Sequence, residues 1–215
     1  MTVAAIAGHL RHLVSGDIEE WRHLPYRLAM KCRRIDLSWV SAEESGVGSR
    51  GEWHSNSGGP NLEVVLDRLD ISQSDAALDL GCGKGGALLT MAQYRFRRVD
   101  GVELSSDLAG TARTNIRRLH IRNASVFCCD AADFKDLDAY TYFYMYNPFP
   151  EPVVKDVLTN LEASRLRRGR KLTIIYKNPI CEKALLDAGF RKTAEYRHCT
   201  PHFSIFQKHT DATTL

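Results

Sequence analysis

A glycine-dense segment, residues 81–86, follows a short apolar run that ends at Asp79 and Leu80. Glycine allows positive φ angles and lets the backbone approach a ligand where a Cβ atom would block it. The residues after this segment have the pattern of a helix opening, and free N–H groups at a helix N-terminus favour negative or electron-rich ligand groups. The sequence therefore predicts a strand, a tight turn and a helix that together bind a nucleotide-type cofactor.

Acidic side chains stand at the ends of two further predicted strands, at Glu103 and Asp130. Glu103 lies 22 residues after Gly81, the interval expected for an acidic group that accepts hydrogen bonds from ribose hydroxyls. The carboxyl ends of neighbouring parallel strands meet at one edge of a sheet, and ligands bind in the crevice outside them. We therefore expect Asp79, Glu103 and Asp130 to converge on one cofactor crevice.

Two cofactors fit this spacing. Gly81, Gly83 and Gly86 match the glycine pattern of a dinucleotide-binding loop, so glycine spacing alone does not exclude a nicotinamide dinucleotide. Asp79 stands two residues before the first glycine, where its carboxylate would crowd a pyrophosphate. The same carboxylate would suit a cofactor with a positive amino group and a sulfonium. We therefore favour S-adenosylmethionine and keep the dinucleotide as the alternative.

Predicted strands and helices alternate along residues 61–208, and the last two of seven strands are expected to form an antiparallel hairpin. Such alternation indicates an α/β fold with a doubly wound, mostly parallel sheet. One helix is expected over residues 151–164. Residues 1–40 predict a helical cap, either a cover for one edge of the core or a substrate lid, and the glycine- and serine-rich residues 41–60 predict a loop over the site. No linker divides the chain, so we expect one domain over residues 1–215.

A second group of candidates lies after the fourth predicted strand, in Asn147-Pro148-Phe149-Pro150. A proline-stiffened turn would aim the Asn147 amide and nearby carbonyl groups at a methyl group, where they could hold an amino group of the acceptor. Phe149 could stack on a planar acceptor. The alternative is a structural turn with Phe149 in the core. His54, in the preceding loop, could be a general base, a cofactor contact or a solvated residue.

Composition and charge narrow the possible classes of protein. A net charge of +3, from 29 basic and 26 acidic residues, is too balanced to imply nucleic acid by itself. None of the six cysteines forms a C-x-x-C pair, so we expect no metal site, and Cys82 is expected to be a small loop residue rather than a nucleophile. No apolar run approaches the ~20 residues that span a membrane, and the N-terminus is a poor signal peptide, so we expect a cytoplasmic protein.

Several motifs resemble those of the class I S-adenosylmethionine-dependent methyltransferases. They are Leu78-Asp79-Leu80-Gly81-Cys82-Gly83-Lys84-Gly85, Val102-Glu103-Leu104-Ser105, Cys129-Asp130-Ala131 and Tyr146-Asn147-Pro148-Phe149. The resemblance covers roughly residues 60–208 and is closest to small, uncharacterised stand-alone members with a Tyr-Asn-Pro-Phe motif. It implies a Rossmann-like fold. The last motif is similar to the Asn-Pro-Pro-aromatic motif of amino-directed methyltransferases, but Phe149 replaces its second proline, so the acceptor is left open.

The resemblance also implies roles for individual residues. Asp79 and Gly81 would bind the methionine end of the cofactor, Glu103 the ribose hydroxyls and Asp130 the adenine amino group, with backbone contacts from Ala131. The complete expected cofactor-binding set is Asp79, Gly81, Cys82, Gly83, Glu103, Leu104, Asp130, Ala131 and Asn147. The expected catalytic set is Asn147, Pro148, Phe149 and His54.

The expected activity is methyl transfer from S-adenosyl-L-methionine to an unidentified acceptor by in-line displacement, which leaves S-adenosyl-L-homocysteine. Because a sulfonium methyl group is already activated, the protein mainly holds the acceptor in line, and such positioning can contribute about 7–11 kcal/mol. The acceptor could be a small molecule, a protein or a nucleic acid. The alternatives are a NAD-type oxidoreductase and a non-catalytic cofactor-binding module.

Overall fold

The structure is a computed structural model that describes residues 23–46, 54–197, 199 and 201–209. The chain forms two compact units, Met1–Asp36 and Leu37–Leu215. In the first unit, residues 23–32 form helix α1. Residues 1–22 of the predicted cap and residues 47–53 of the predicted loop lie outside the described residues. The expectation of one domain over the whole chain stays a prediction.

The second unit is built on one seven-stranded sheet with the strand order β3-β2-β1-β4-β5-β7-β6. The strands are β1 (Ala76–Leu80), β2 (Arg98–Glu103), β3 (Ala124–Cys128), β4 (Tyr142–Met145), β5 (Leu172–Lys177), β6 (Arg191–Tyr196) and β7 (Phe203–Lys208). Strands β1 to β5 are parallel, and β7 pairs antiparallel with both β5 and β6. The predicted doubly wound, mostly parallel sheet with a C-terminal antiparallel hairpin is confirmed.

The described helices of this unit are α2 (Ala42–Ser45), α3 (Pro60–Leu66), α4 (Gly86–Met91), α5 (Ser106–Arg118), α6 (Glu151–Arg168) and α7 (Glu182–Asp187). Of these, α2 and α3 precede β1, and α4 to α7 connect strands. The end predicted for α6 at residue 164 is wrong. Arginine is a good helix former, and the buried Arg165 donates two hydrogen bonds of 2.8 Å to Glu162. The helix continues until Gly169, whose φ of 57° lies in the left-handed region.

The central strands are buried on both faces, as expected for a parallel sheet covered by helices. The fully buried carboxylate of Asp100 joins β2 to its neighbours. It accepts hydrogen bonds from the Ser125 N–H at 2.8 Å, from the Tyr140 hydroxyl at 2.7 Å and from the Arg98 guanidinium. This network fixes β2 and β3, whose carboxyl ends carry the candidate site. Within the described ranges, every helix is too short or too polar to span a lipid bilayer.

Candidate functional site

The turn between β1 and α4 depends on three glycines with positive φ. The angle is 77° at Gly81, 52° at Gly83 and 87° at Gly85. The N–H groups of Gly81 and Cys82 both donate to the carbonyl of Val102, at 2.9 and 3.0 Å, which ties the turn to β2. Other residue types are strained in this backbone region, so the turn requires glycine for its own conformation.

The space beside two of these glycines is filled by the chain itself. A Cβ atom on Gly81 would lie 2.2 Å from the Cβ of Pro148. One on Gly83 would lie 2.0 Å from the Nδ1 atom of His54. The glycines therefore let Pro148 and His54 pack against the turn, a role that reasoning from ligand approach alone did not predict.

Glu103 at the end of β2 is 6% exposed and braces the turn. Its Oε2 atom accepts the Gly83 N–H at 2.7 Å, and its Oε1 atom accepts the Ser105 N–H at 2.9 Å. Burial raises the pKa of Glu103, although its backbone hydrogen bonds act in the opposite direction. A carboxylate has about four lone-pair sites, so both oxygens can still accept from ligand hydroxyls.

Asp79 in β1 lies beneath the turn and is 2% exposed. Burial raises the pKa of its carboxyl well above the usual range, and the negative charge of Glu103 raises it further. An ionised carboxylate in such surroundings needs a nearby cation or hydrogen-bond donors. A ligand with a positive amino group or sulfonium near the turn would provide that compensation. The chemistry of this pair therefore fits the methyl donor better than a pyrophosphate.

A cleft opens over the turn and the carboxyl ends of β2, β3 and β4. Its empty volume, including the open mouth, is about 720 Å³. Every residue predicted for the site from the sequence lines this cleft, except Asp79 and Asn147. The fold thus brings Glu103, Asp130 and the glycine turn to one cleft, whereas Asp79, which was expected there too, is buried in β1 and does not line it.

Asp130 and Ala131 follow β3 at one side of the cleft. The Oδ1 atom of Asp130 accepts the Ala132 N–H at 2.9 Å, so part of this carboxylate shapes its own turn. Cys82 is buried, and burial raises the pKa of its thiol well above the usual range, which keeps the thiol protonated. The structure therefore offers no reactive thiolate at Cys82. Among the described residues, no group of three or more His, Cys, Asp and Glu side chains could hold a metal ion.

The Asn147 turn combines backbone strain with an unsatisfied polar atom. Asn147 has a φ of 42°, and its buried Oδ1 atom accepts no hydrogen bond from the described residues. Strained residues cluster at functional sites, and a buried acceptor without a donor costs about 1–3 kcal/mol. Phe149 is 8% exposed and belongs to the hydrophobic core while it also lines the cleft. The turn therefore has a structural part and a side that faces the cleft.

Sequence reasoning missed several lining residues. Ser55 and Ser57 line the cleft because residues 54–59 cross the turn, and Cys129 and Leu108 complete the wall. Cys129 belongs to a motif quoted above but was not predicted to contact a ligand, and no motif marks the other three positions. They are placed by contacts distant in sequence, such as the 3.3 Å hydrogen bond from the Tyr144 hydroxyl to the Ser57 carbonyl. For Ser55 and Ser57, the glycine and serine content of residues 41–60 was the available signal.

Comparison with known proteins connects this site to methyl transfer. Residues 77–168 match a family model described as a methyltransferase domain. A probable cobalt-precorrin-6B C(15)-methyltransferase (decarboxylating) of Methanococcus maripaludis is 34% identical over 117 residues, which are 54% of this chain and 62% of the relative. A probable (S)-tetrahydroprotoberberine N-methyltransferase of Papaver bracteatum is 25% identical over 136 residues, which are 59% of this chain and 36% of the relative. The chain thus spans less than two thirds of these curated relatives.

The fold has solved counterparts. The crystal structure of a SAM-dependent methyltransferase from Aquifex aeolicus aligns with a TM-score of 0.54 and 17% identity, over 67% of this chain and 87% of that one. At this level of identity, the likeness establishes the fold alone. The fold is therefore the Rossmann-like fold found in methyltransferases, and the match to the methyltransferase domain supports a class I methyltransferase.

Proposed function

We propose that this chain transfers a methyl group from S-adenosyl-L-methionine to an acceptor by in-line displacement. One observation carries the proposal. In a segment that matches a methyltransferase domain, one cleft joins the glycine turn to the Glu103 carboxylate, with the Asp79 carboxylate buried beneath the turn. These groups suit a ligand with ribose hydroxyls and a nearby positive charge. When bound, that cofactor supplies a methyl group already activated on a sulfonium.

The residues of the cleft would divide the cofactor among them. Asp79 with Gly81, Cys82 and Gly83 would hold the methionine end. Glu103 would accept from the ribose hydroxyls, with Leu104 beside it. Asp130 and Ala131 would bind the adenine ring through the carboxylate and the backbone.

The acceptor side is proposed to be Tyr146-Asn147-Pro148-Phe149, with His54 across the turn. The names of the two relatives imply different acceptors, and each match covers only part of the relative, so neither acceptor is carried over. A small molecule, a protein and a nucleic acid all stay open. The likeness to stand-alone methyltransferases with this motif and the location in the cytoplasm stay predictions from the sequence.

Isothermal titration calorimetry tests the choice of cofactor. We expect micromolar binding of S-adenosyl-L-homocysteine and no heat from NAD⁺ or NADH, because Asp79 would crowd a pyrophosphate. Binding of the dinucleotide without binding of S-adenosyl-L-homocysteine would overturn the proposal in favour of the oxidoreductase alternative, which the comparisons do not favour.

The raised pKa of Asp79 predicts how cofactor binding depends on pH. A positive ligand group favours the ionised carboxylate, so affinity for S-adenosyl-L-homocysteine should rise as the pH increases through that raised pKa. The stability of the ligand-free protein should depend on pH in the opposite direction. Because the folded-state pKa lies above the unfolded value near 3.8, the free energy of unfolding should fall as the pH rises from that value through the folded pKa.

The variant Asp79→Asn separates the contribution of Asp79 to this pH dependence from that of Glu103. The pKa of Glu103 is also raised, but Glu103 is present in both the wild type and the variant. Calorimetry and urea unfolding between about pH 5 and pH 8.5 should show a weaker pH dependence in the variant than in the wild type. Identical profiles for the two proteins would contradict a role for the Asp79 charge.

Asn147→Ala should reduce turnover much more than cofactor affinity. Turnover should fall because misplacement of an acceptor by about 1 Å can cost about 100-fold in rate. Cofactor affinity should change little because Asn147 is not among the residues that line the cofactor cleft. Asn178→Ala is a matched control, because Asn178 also has positive φ, at 52°, and precedes a proline after the neighbouring strand. We expect little change in turnover for the control. Equal losses of turnover and affinity in Asn147→Ala would instead indicate a structural role.

A further inference from the structure

Lys84 is a buried lysine within the glycine turn, 6% exposed, with two anchors distant in sequence. Its ammonium group donates to the Ser38 hydroxyl at 2.7 Å. Its backbone carbonyl accepts from the side-chain amide of the buried Asn115 in α5, at 3.0 Å. Lys84 therefore joins the turn to α5 on one side and to the segment around Ser38 on the other.

The segment around Ser38 is in turn paired with His54. The Val40 N–H donates to the His54 carbonyl at 3.1 Å, and the His54 N–H donates to the Val40 carbonyl at 2.8 Å. The His54 ring fills the space beside Gly83, which is the residue next to Lys84. The contacts thus form a closed ring, from Lys84 to Ser38, through Val40 to His54, and back to the turn at Gly83.

The residues after His54 are held at their far end by α4. The Oδ1 atom of Asn56 packs against Gly86, where an added Cβ atom would lie 2.0 Å from it. The same oxygen accepts the Gly58 N–H at 3.1 Å. The Gly59 N–H donates to the Thr90 hydroxyl at 2.8 Å. Residues 54–59 therefore cross the turn and are fixed at both ends. The His54 end is held by the ring of contacts that includes Lys84, and the Gly59 end is held by α4.

We propose that Lys84 is a positioning residue for the methyl donor. Through Ser38 and Val40 it holds His54 against the turn, and this contact governs how long the donor stays in the cleft. The inference rests on the proposed function, because it assumes that the cleft binds S-adenosyl-L-methionine. It assigns His54 a covering role that depends on a residue in the turn itself. Lys84 acts on the donor through these segments and takes no part in the chemical step.

A double-mutant cycle on Lys84 and Ser38 tests the proposal. Stopped-flow measurement of S-adenosyl-L-homocysteine dissociation should show rates about tenfold higher in Lys84→Met and in Ser38→Ala, the size expected for one hydrogen bond to a charged group. The double variant should dissociate no faster than either single variant, because both remove the same bond. Lys84→Arg should dissociate more slowly than Lys84→Met, because a guanidinium group can also donate a hydrogen bond to Ser38.

The controls separate this role from stability and from the proposed function. Lys135→Met removes a lysine that donates to Ala132 and Asn160 outside the cleft lining, and it should leave the dissociation rate unchanged. Ser38→Ala is a small change, so the test remains available if Lys84→Met does not fold. Unchanged dissociation rates with only a lower unfolding midpoint, or additive effects in the double variant, would overturn the inference. Failure of the wild type to bind S-adenosyl-L-homocysteine would instead overturn the proposed function.

Discussion

Replacement of Glu103 by alanine should weaken the binding of S-adenosyl-L-homocysteine by about 100-fold or more. Hydrogen bonds to a charged group contribute about 1.5–3 kcal/mol each, so loss of two ribose hydroxyl contacts costs about 3 kcal/mol or more. The substitution also removes the acceptor for the Gly83 and Ser105 N–H groups, so the turn loses its brace. Calorimetry with purified wild type and variant measures the change directly.

Two further substitutions serve as controls for Glu103→Ala. Glu103→Gln keeps the shape but places an amide NH₂ against one of two backbone donors, so we expect a loss of affinity between those of the wild type and Glu103→Ala. Asp107→Asn changes an exposed acid in the first turn of the adjacent helix and should leave affinity unchanged. Wild-type affinity in Glu103→Ala would contradict the assignment of the cleft as a nucleoside site.

Gly81→Ala should lower the free energy of unfolding by about 2–5 kcal/mol and abolish measurable cofactor binding. The residue has a φ of 77°, where a side chain costs roughly 1–2 kcal/mol. The added Cβ would also lie 2.2 Å from the Cβ of Pro148, and such overpacking costs typically about 1–3 kcal/mol. Urea unfolding and calorimetry on the same variant measure both effects.

Gly110→Ala is the matched control for Gly81→Ala. Gly110 lies within α5, and a Cβ there would meet nothing within 4 Å. Because alanine is the better helix former, we expect equal or higher stability, by up to about 1 kcal/mol, and unchanged binding. A Gly81→Ala protein as stable as Gly110→Ala would show that Pro148 and the turn do not pack as described.

The parts of the fold that could be predicted from the sequence depend on local rules. Positive φ at Gly81 and Gly83 is a local requirement of the turn, and the interval to Glu103 follows from one strand-helix-strand unit. The sheet class follows from alternation of elements, which the order of seven strands confirms. The end of α6 was mistaken because the arginine-rich stretch before Gly169 continues the helix until the glycine ends it.

The parts that could not be predicted depend on contacts between distant residues. The packing of His54 on Gly83 and the hydrogen bond between Lys84 and Ser38 join segments that no motif links. Nor does the motif predict that the Asn147 amide oxygen is buried without a hydrogen-bond donor among the described residues. The motif specifies the residue type and its place at a strand end, whereas tertiary packing decides where the side chain points.

Transfer of a labelled methyl group is the most direct test of the central claim. The protein would be incubated with S-adenosyl-L-methionine labelled in its methyl group and with separated nucleic acid, protein and small-molecule fractions. We expect label in one of these fractions with the wild type, and loss of that transfer with Glu103→Ala. Binding of the cofactor without transfer of label to any fraction would contradict the account and indicate a non-catalytic binding module.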